Sequence, residues 1–185
     1  MEIRLLNSDD ASEWLRLRLE ALQTDPEAFS ASFEEYESLS LEEVKRRLWS
    51  TPDAFVTGTF EQNSLFGVAG FYREQGIKSR HKGRVWGVYV TPSKRGQGLG
   101  RRIMRALLEH ATAIPGIQQV LLSVTSTQLA ALALYRSLGF EAFGTEPGAL
   151  NLAGRFIDEN HMILWLNRIV GQERPILKGK SALDV

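Results

Sequence analysis

The stretch Val88-Tyr89-Val90-Thr91-Pro92-Ser93-Lys94-Arg95-Gly96-Gln97-Gly98-Leu99-Gly100 decides the fold. Its first three residues close the run Arg84 to Val90, rich in β-branched and aromatic side chains. Thr91-Pro92 stops that run, because proline cannot donate to a strand ladder. The reading is a central strand. Beyond the turn, Leu99, Ile103, Leu107 and Ile114 recur at helical spacing with Arg101, Arg102, Arg105 and Glu109 off the stripe, until Pro115-Gly116 ends the helix. Between strand and helix, Gly96, Gly98 and Gly100 remove side chains at alternate positions. Backbone N–H groups can then approach an anion where the helix N-terminus adds positive charge. Arg95, Arg101 and Arg102 flank the turn. A phosphate-bearing ligand is expected there. A Walker-type loop would end in Gly-Lys-Ser/Thr, whereas arginine follows Gly100. A dinucleotide fingerprint would space its glycines G-x-G-x-x-G near the first strand, whereas these follow the fourth.

Working outward, Val120 to Val124 reads as another strand, followed by a helix from Thr127 to Leu138 that Gly139 ends. Strand and helix thus occur twice in succession. Upstream, residues 2 to 6 alternate as a short strand. From Ala11 to Leu22 the set Ala11, Leu15, Leu19 and Leu22 predicts a helix buried on that face. Residues 24 to 39 carry Phe29, Phe33 and Tyr36 in an acidic loop or broken helix. Ser40 and Glu43 form a capping box opening a helix to about Trp49. Asp53 to Phe60 and Leu65 to Arg73 predict a hairpin, and a basic connector from Gln75 to Gly83 leads to the central strand. The last strands are expected at Phe140 to Thr145 and Arg155 to Leu166, with Pro147-Gly148 as the turn between them. The expectation is one domain over residues 1–166 and a loose C-terminal tail over 167–185.

Lys plus Arg and Asp plus Glu both number 22, so no net field favours nucleic acid or an anionic membrane. Cysteine is absent, which excludes disulfides, thiolate metal sites and a cysteine nucleophile. The start has no basic region followed by an apolar run, and no stretch has the length of a membrane span. Cytoplasmic placement is expected, as monomer or homodimer. Three scattered histidines, His81, His110 and His161, predict no metal site.

The quoted stretch resembles the signature of the GNAT acetyltransferase superfamily, R/Q-x-x-G-x-G/A after a strand and a proline. A second family element follows in order: Gln128-Leu129-Ala130-Ala131-Leu132-Ala133-Leu134-Tyr135, with Gly139-Phe140, resembles N-x-x-A-x-x-L-Y and its closing G-F. The resemblance implies an α/β fold with a mixed, mostly antiparallel sheet that splays between strands 4 and 5. Acetyl-coenzyme A would lie in that gap. Its pantetheine arm would hydrogen-bond to Val88 and Val90, and its pyrophosphate would sit on Arg95, Gly96, Gln97, Gly98, Leu99, Gly100 and Arg101. Gln128 stands where the family has asparagine, and Tyr135 would serve as the acid.

Direct transfer needs a neutral amine, N–H donors for an oxyanion and an acid for the departing thiolate. The Val90 amide is the oxyanion candidate. A phenol near ~10 giving its proton to a thiolate near ~8.5 is uphill by roughly 2 kcal/mol, so donation to the sulfur matters more than full transfer. Many members of the family it resembles carry a glutamate on the fourth strand, but Arg84 to Val90 contains no acid. Glu34, Glu35, Glu74, Asp158, Glu159 and His161 remain open as bases. Phe29, Phe33, Tyr36 and Trp86 are candidate acceptor-side residues. The expected function is N-acetyl transfer to a primary amine. A small molecule is preferred to a protein N-terminus or lysine, and a non-catalytic acyl-coenzyme A sensor is the competitor.

Overall fold

The computed structural model describes residues 1–48 and 50–166. Its elements are β1 (Glu2–Leu5), α1 (Ala11–Thr24), α2 (Glu34–Glu37), α3 (Leu41–Arg47), β2 (Ala54–Glu61), β3 (Ser64–Arg73), β4 (Lys82–Val90), α4 (Leu99–Thr112), β5 (Gln119–Thr125), α5 (Leu129–Ser137), β6 (Glu141–Leu152) and β7 (Arg155–Trp165). The seven strands form one sheet in the order β1-β2-β3-β4-β5-β7-β6. Every neighbouring pair is antiparallel except β4 with β5.

Side-chain alternation along the strands builds two apolar layers. Phe55, Ala69, Phe71, Val85, Leu122 and Val124 face α4 and α5, where Ile103, Leu107 and Leu132 meet them. On the opposite face Val56, Leu65, Val68 and Tyr89 meet Trp14, Leu17 and Ala21 of α1 and Val44 of α3. The expected stripe Leu99, Ile103, Leu107 and Ile114 is buried. The Ser40–Glu43 capping box forms reciprocally at the start of α3.

The structure corrects two local readings. On α1 the buried face runs through Ala11, Trp14, Leu17, Arg18, Ala21 and Leu22, while Leu15 and Leu19 are only partly covered. Trp14 is the larger apolar anchor and rotates the helix toward itself. The turn between the last two strands lies at Ala153-Gly154, both left-handed (φ 51° and 87°), not at Pro147-Gly148. Asn151 Oδ1 accepts the Gly154 N–H at 2.9 Å and closes that turn. Pro147-Gly148 is instead a bulge within β6, with the Gly148 N–H donating to Asp158 Oδ1 at 2.8 Å. The expected tail over 167–185 and Trp49 lie outside the described residues.

Candidate active site

β4 and β5 pair only at Lys82–Gln119, Gly83–Val120 and Arg84–Leu121, then separate. A cleft of about 510 Å³ opens between them, walled by β4, β5, the glycine turn and α5. This is the splay expected between strands 4 and 5.

A bulge in β4 sets which side chains face which layer. Val68 opposes Tyr89 and Gly70 opposes Trp86, so β4 takes three steps where β3 takes two. Gly87 carries the extra residue at φ 61°, a conformation that costs glycine little. Because of it, Val85, Val88 and Val90 all pack toward the α4/α5 layer, while Trp86 and Tyr89 pack toward α1. The Thr91 N–H donates to the Phe66 carbonyl at 2.8 Å and so belongs to the β3 ladder. Val90, one residue earlier, therefore points its N–H and C=O into the cleft.

The glycine turn closes one end. Gly96 and Gly98 are left-handed (φ 76° and 74°), and a Cβ built on either would meet no heavy atom within 4 Å. The space over the turn is open. The first intrahelical bond of α4 runs from the Arg102 N–H to the Gly98 carbonyl at 3.1 Å, so the Leu99, Gly100 and Arg101 N–H groups have no partner within the helix. These donors fit a pyrophosphate, and the strand edge at Val90 fits an extended amide arm; acetyl-coenzyme A has both features. Gln97 is turned back, its amide 3.4 Å from the Ser93 carbonyl, and it does not line the cleft. Arg95 reaches away from the turn: Nε donates to the Val90 carbonyl at 2.9 Å, and the guanidinium pairs with Asp25 just beyond α1.

Across the cleft stand Gln128, just ahead of α5, and Leu134 and Tyr135 of that helix. Gln128 is the residue before the helix, and its side chain makes no cap bond to the helix. Tyr135 is 6 % exposed and packs edge-on against Phe140, with ring centroids 6.0 Å apart. Burial pushes its phenol well above the ordinary value. It therefore holds its proton firmly, which suits hydrogen-bond donation better than release.

The acceptor-side candidates divide. Phe29 and Trp86 line the cleft. Tyr36 lies with Trp14, Arg47 and Trp86 in an adjoining pocket of about 310 Å³. Phe33, beside the short α2, reaches neither. The unforeseen residue here is Arg18, 8 % exposed, with its guanidinium 4.8 Å from the Phe29 ring centroid and 4.7 Å from that of Tyr36. Its Nε has no hydrogen-bond partner. Desolvation holds its pKa below the usual arginine value.

Among the proposed bases, Glu74 is paired with Arg84 at 2.5 Å, Glu35 accepts the Ser32 N–H at 2.8 Å and Asp158 is held by Gly148. Glu34 is exposed on α2. Glu159 and His161 lie together on β7. Burial raises the Glu159 carboxyl, the nearby His161 opposes that rise and Glu146 adds to it. Ser123 lines the cleft on the face opposite Leu122 and Val124, with Oγ 2.8 Å from His161 Nδ1. Its pairing is invisible in the sequence because the two residues are 38 apart and meet only through strand register. Among the described residues no group of three or more His, Cys, Asp or Glu is placed to hold a metal. No described helix is long and apolar enough to cross a membrane.

Comparison with known proteins agrees with this geometry. A mycothiol acetyltransferase of Kocuria rhizophila is 32 % identical over 136 residues, 71 % of this chain and 43 % of that protein. The chain thus spans less than half the length of that relative. An L-methionine sulfoximine/L-methionine sulfone acetyltransferase of Pseudomonas aeruginosa is 38 % identical over 80 residues, 43 % of this chain and 46 % of the relative. The N-alpha-acetyltransferase RimI of Mycobacterium tuberculosis is 37 % identical over 105 residues, 57 % of this chain and 63 % of that protein. In fold, a GNAT acetyltransferase from Streptococcus pneumoniae superposes with a TM-score of 0.80 at 23 % identity, covering 89 % of this chain and 99 % of the other. Residues 14–140 match the model of the acetyltransferase (GNAT) family, and the chain belongs to that family.

Proposed function

We propose that this chain is an acetyl-coenzyme A-dependent N-acetyltransferase whose acceptor is a small primary amine. The observation that carries the reading is the backbone of Val90, turned into the β4–β5 gap opposite Tyr135, with the glycine turn and the α4 N-terminus closing one end. Bound acetyl-coenzyme A would supply the reactive thioester. The Val90 N–H would hold the oxygen that gains charge on attack, at little reorganisation cost because the strand fixes it. Tyr135, kept protonated by burial, would donate a hydrogen bond to the sulfur as its bond to carbon breaks.

A small acceptor is favoured because the segment after α1 is tied down over the mouth. Glu27 pairs with Arg155 at the β6–β7 turn and Asp25 pairs with Arg95, while the turn Pro26–Ala28 lies against β5. These ties bridge the region where a peptide-modifying enzyme needs an open groove. Similarity to RimI supports a second reading, a protein N-terminus, whose α-amino group near ~7.8 needs no strong base.

The test is calorimetric titration of coenzyme A, then thiol release from acetyl-coenzyme A with polyamines, amino acids, aminoglycosides and N-terminal peptides. Turnover with small amines and not peptides is the expected result. Selective turnover of peptides would establish the second reading. Binding without turnover would favour an acyl-coenzyme A sensor, and absence of binding would overturn the proposal.

A further inference from the structure

Three adjacent strands carry a polar line to the β4–β5 cleft, which Ser123 lines. Ser123 on β5 lies directly opposite His161 on β7, and His161 lies opposite Gly144 on β6, two residues before Glu146. Ser123 Oγ is 2.8 Å from His161 Nδ1, and His161 Nε2 is 3.2 Å from Glu146 Oε2. The Phe143 ring stacks on the imidazole, with centroids 6.0 Å apart and planes 29° from parallel. Glu146 can only accept when ionised, so it fixes the neutral ring as the tautomer with hydrogen on Nε2. Nδ1 then offers its lone pair to the Ser123 hydroxyl, and the serine lone pairs remain available to the cleft. The titratable groups facing the ring are Glu146 from β6 and Glu159 from β7; β5 contributes the neutral Ser123.

We propose that Ser123, His161 and Glu146 form a proton relay that deprotonates the acceptor ammonium. This rests on the acetyltransferase reading and supplies the base that β4 lacks. The step balances. A proton passes from the ammonium nitrogen to Ser123 Oγ as the serine proton passes to His161 Nδ1, so the serine ends unchanged and the imidazole becomes an imidazolium beside the Glu146 carboxylate. The freed amine lone pair forms the bond to the thioester carbonyl carbon. The carbon–sulfur bond breaks with its electron pair on sulfur. His161, whose side chain is partly exposed, returns its proton to solvent after product leaves. Glu146 is a positioning residue: it fixes the tautomer and stabilises the imidazolium.

The experiment is the pH profile of kcat/KM for a primary alkyl amine in the wild-type protein and in Ser123→Ala, His161→Gln and Glu146→Gln, with calorimetric coenzyme affinity as the control for folding. The wild-type profile should carry an acid limb that belongs to the relay base. His161→Gln should lower kcat/KM about 100-fold at neutral pH and move the limb toward the acceptor's own pKa, near ~10.4. Glu146→Gln should shift the limb to lower pH, because an imidazolium without its anion is a stronger acid. Ser123→Ala, which leaves room for a bridging water, should lose about tenfold with the limb in place. A His161→Gln profile that keeps the wild-type limb would overturn the relay and leave the acetyltransferase reading standing. Acetylated Ser123 trapped by mass spectrometry would overturn it too, since the serine would then be a nucleophile. A wild-type protein that binds coenzyme A but acetylates no amine would overturn both.

Discussion

Arg95 Nε donates to the Val90 carbonyl at 2.9 Å while its terminal nitrogen pairs with Asp25, so one side chain ties the glycine turn to the open strand edge and to the end of α1. The Val90 carbonyl is the acceptor that an extended amide arm in the cleft would use. As it stands, Arg95 turns Nε and a terminal nitrogen to that carbonyl and to Asp25, away from the place proposed for the pyrophosphate. Coenzyme bound in the proposed pose would displace part of the present arrangement, and the ion pair would oppose that displacement. The pair is partly exposed, so removing its charge is worth about 0.2–1 kcal/mol. Asp25→Asn should tighten coenzyme A binding by up to about fivefold in a low-salt calorimetric titration. Weaker binding would mean that the pair positions the turn instead of restraining it.

Gly98 holds two requirements at once, a left-handed backbone and an empty space above it. Gly98→Ala adds no clash, so its cost is conformational, about 1 kcal/mol of stability, with binding weakened modestly. Gly98→Glu brings a carboxylate to the N-terminal end of α4, where the proposed pyrophosphate would sit. It should keep the fold, read as an unchanged circular dichroism spectrum, and lose measurable coenzyme affinity. Unchanged affinity would remove the turn from the binding site.

Much of this architecture is legible in local sequence because local rules fix it. The β4–turn–α4 unit, the buried stripe of α4, the capping box at Ser40 and the hairpin of β2 with β3 are each determined by residues close together in the chain. Three features are not local. The face of α1 is set by Trp14, whose neighbours Tyr36 and Trp86 come from distant segments. The turn at Ala153-Gly154 has a weaker composition signal than Pro147-Gly148, and only Asp158 on the facing strand makes the latter a bulge. Ser123, His161 and Glu146 meet through the register of three strands, which no spacing within the sequence encodes.

A substitution at Tyr135 separates its proposed role in transfer from its packing. Its ring is buried against Phe140, and phenylalanine at the same position keeps that contact. Tyr135→Phe should leave the melting temperature and the coenzyme affinity close to wild type while kcat falls about 10- to 100-fold, the pattern of an interaction made at the transition state. Because burial raises the phenol above its ordinary value, the wild type should show no loss of activity assignable to tyrosine ionisation up to pH ~10. A kcat equal to wild type in the variant would exclude Tyr135 as donor to the sulfur.

One contribution to the acid stability of the fold should come from a pair at the β1 edge of the sheet. Arg4 of β1 donates from both terminal nitrogens to the two Asp10 oxygens at 2.7 Å, and Asp10 also accepts the Asn7 N–H at 2.9 Å ahead of α1. The hydrogen bond from Arg4 is the largest reason that the Asp10 carboxyl sits below its ordinary value, against the desolvation that would raise it. A carboxyl with a depressed folded-state pKa contributes stability that is fully present above the unfolded value, near ~3.9, and is lost as pH falls through the lower folded one. Asp10→Asn keeps one acceptor oxygen for Asn7 and removes the charge together with one of the two oxygens that accept from Arg4. The variant should be less stable than wild type by about 1 kcal/mol at pH 7 in urea titrations, a bidentate, largely covered pair lying at the upper end of the surface range. The gap should shrink below pH ~4 and vanish once Asp10 is protonated in both states. A gap that persists undiminished in acid would assign the loss to capping geometry and not to the ion pair.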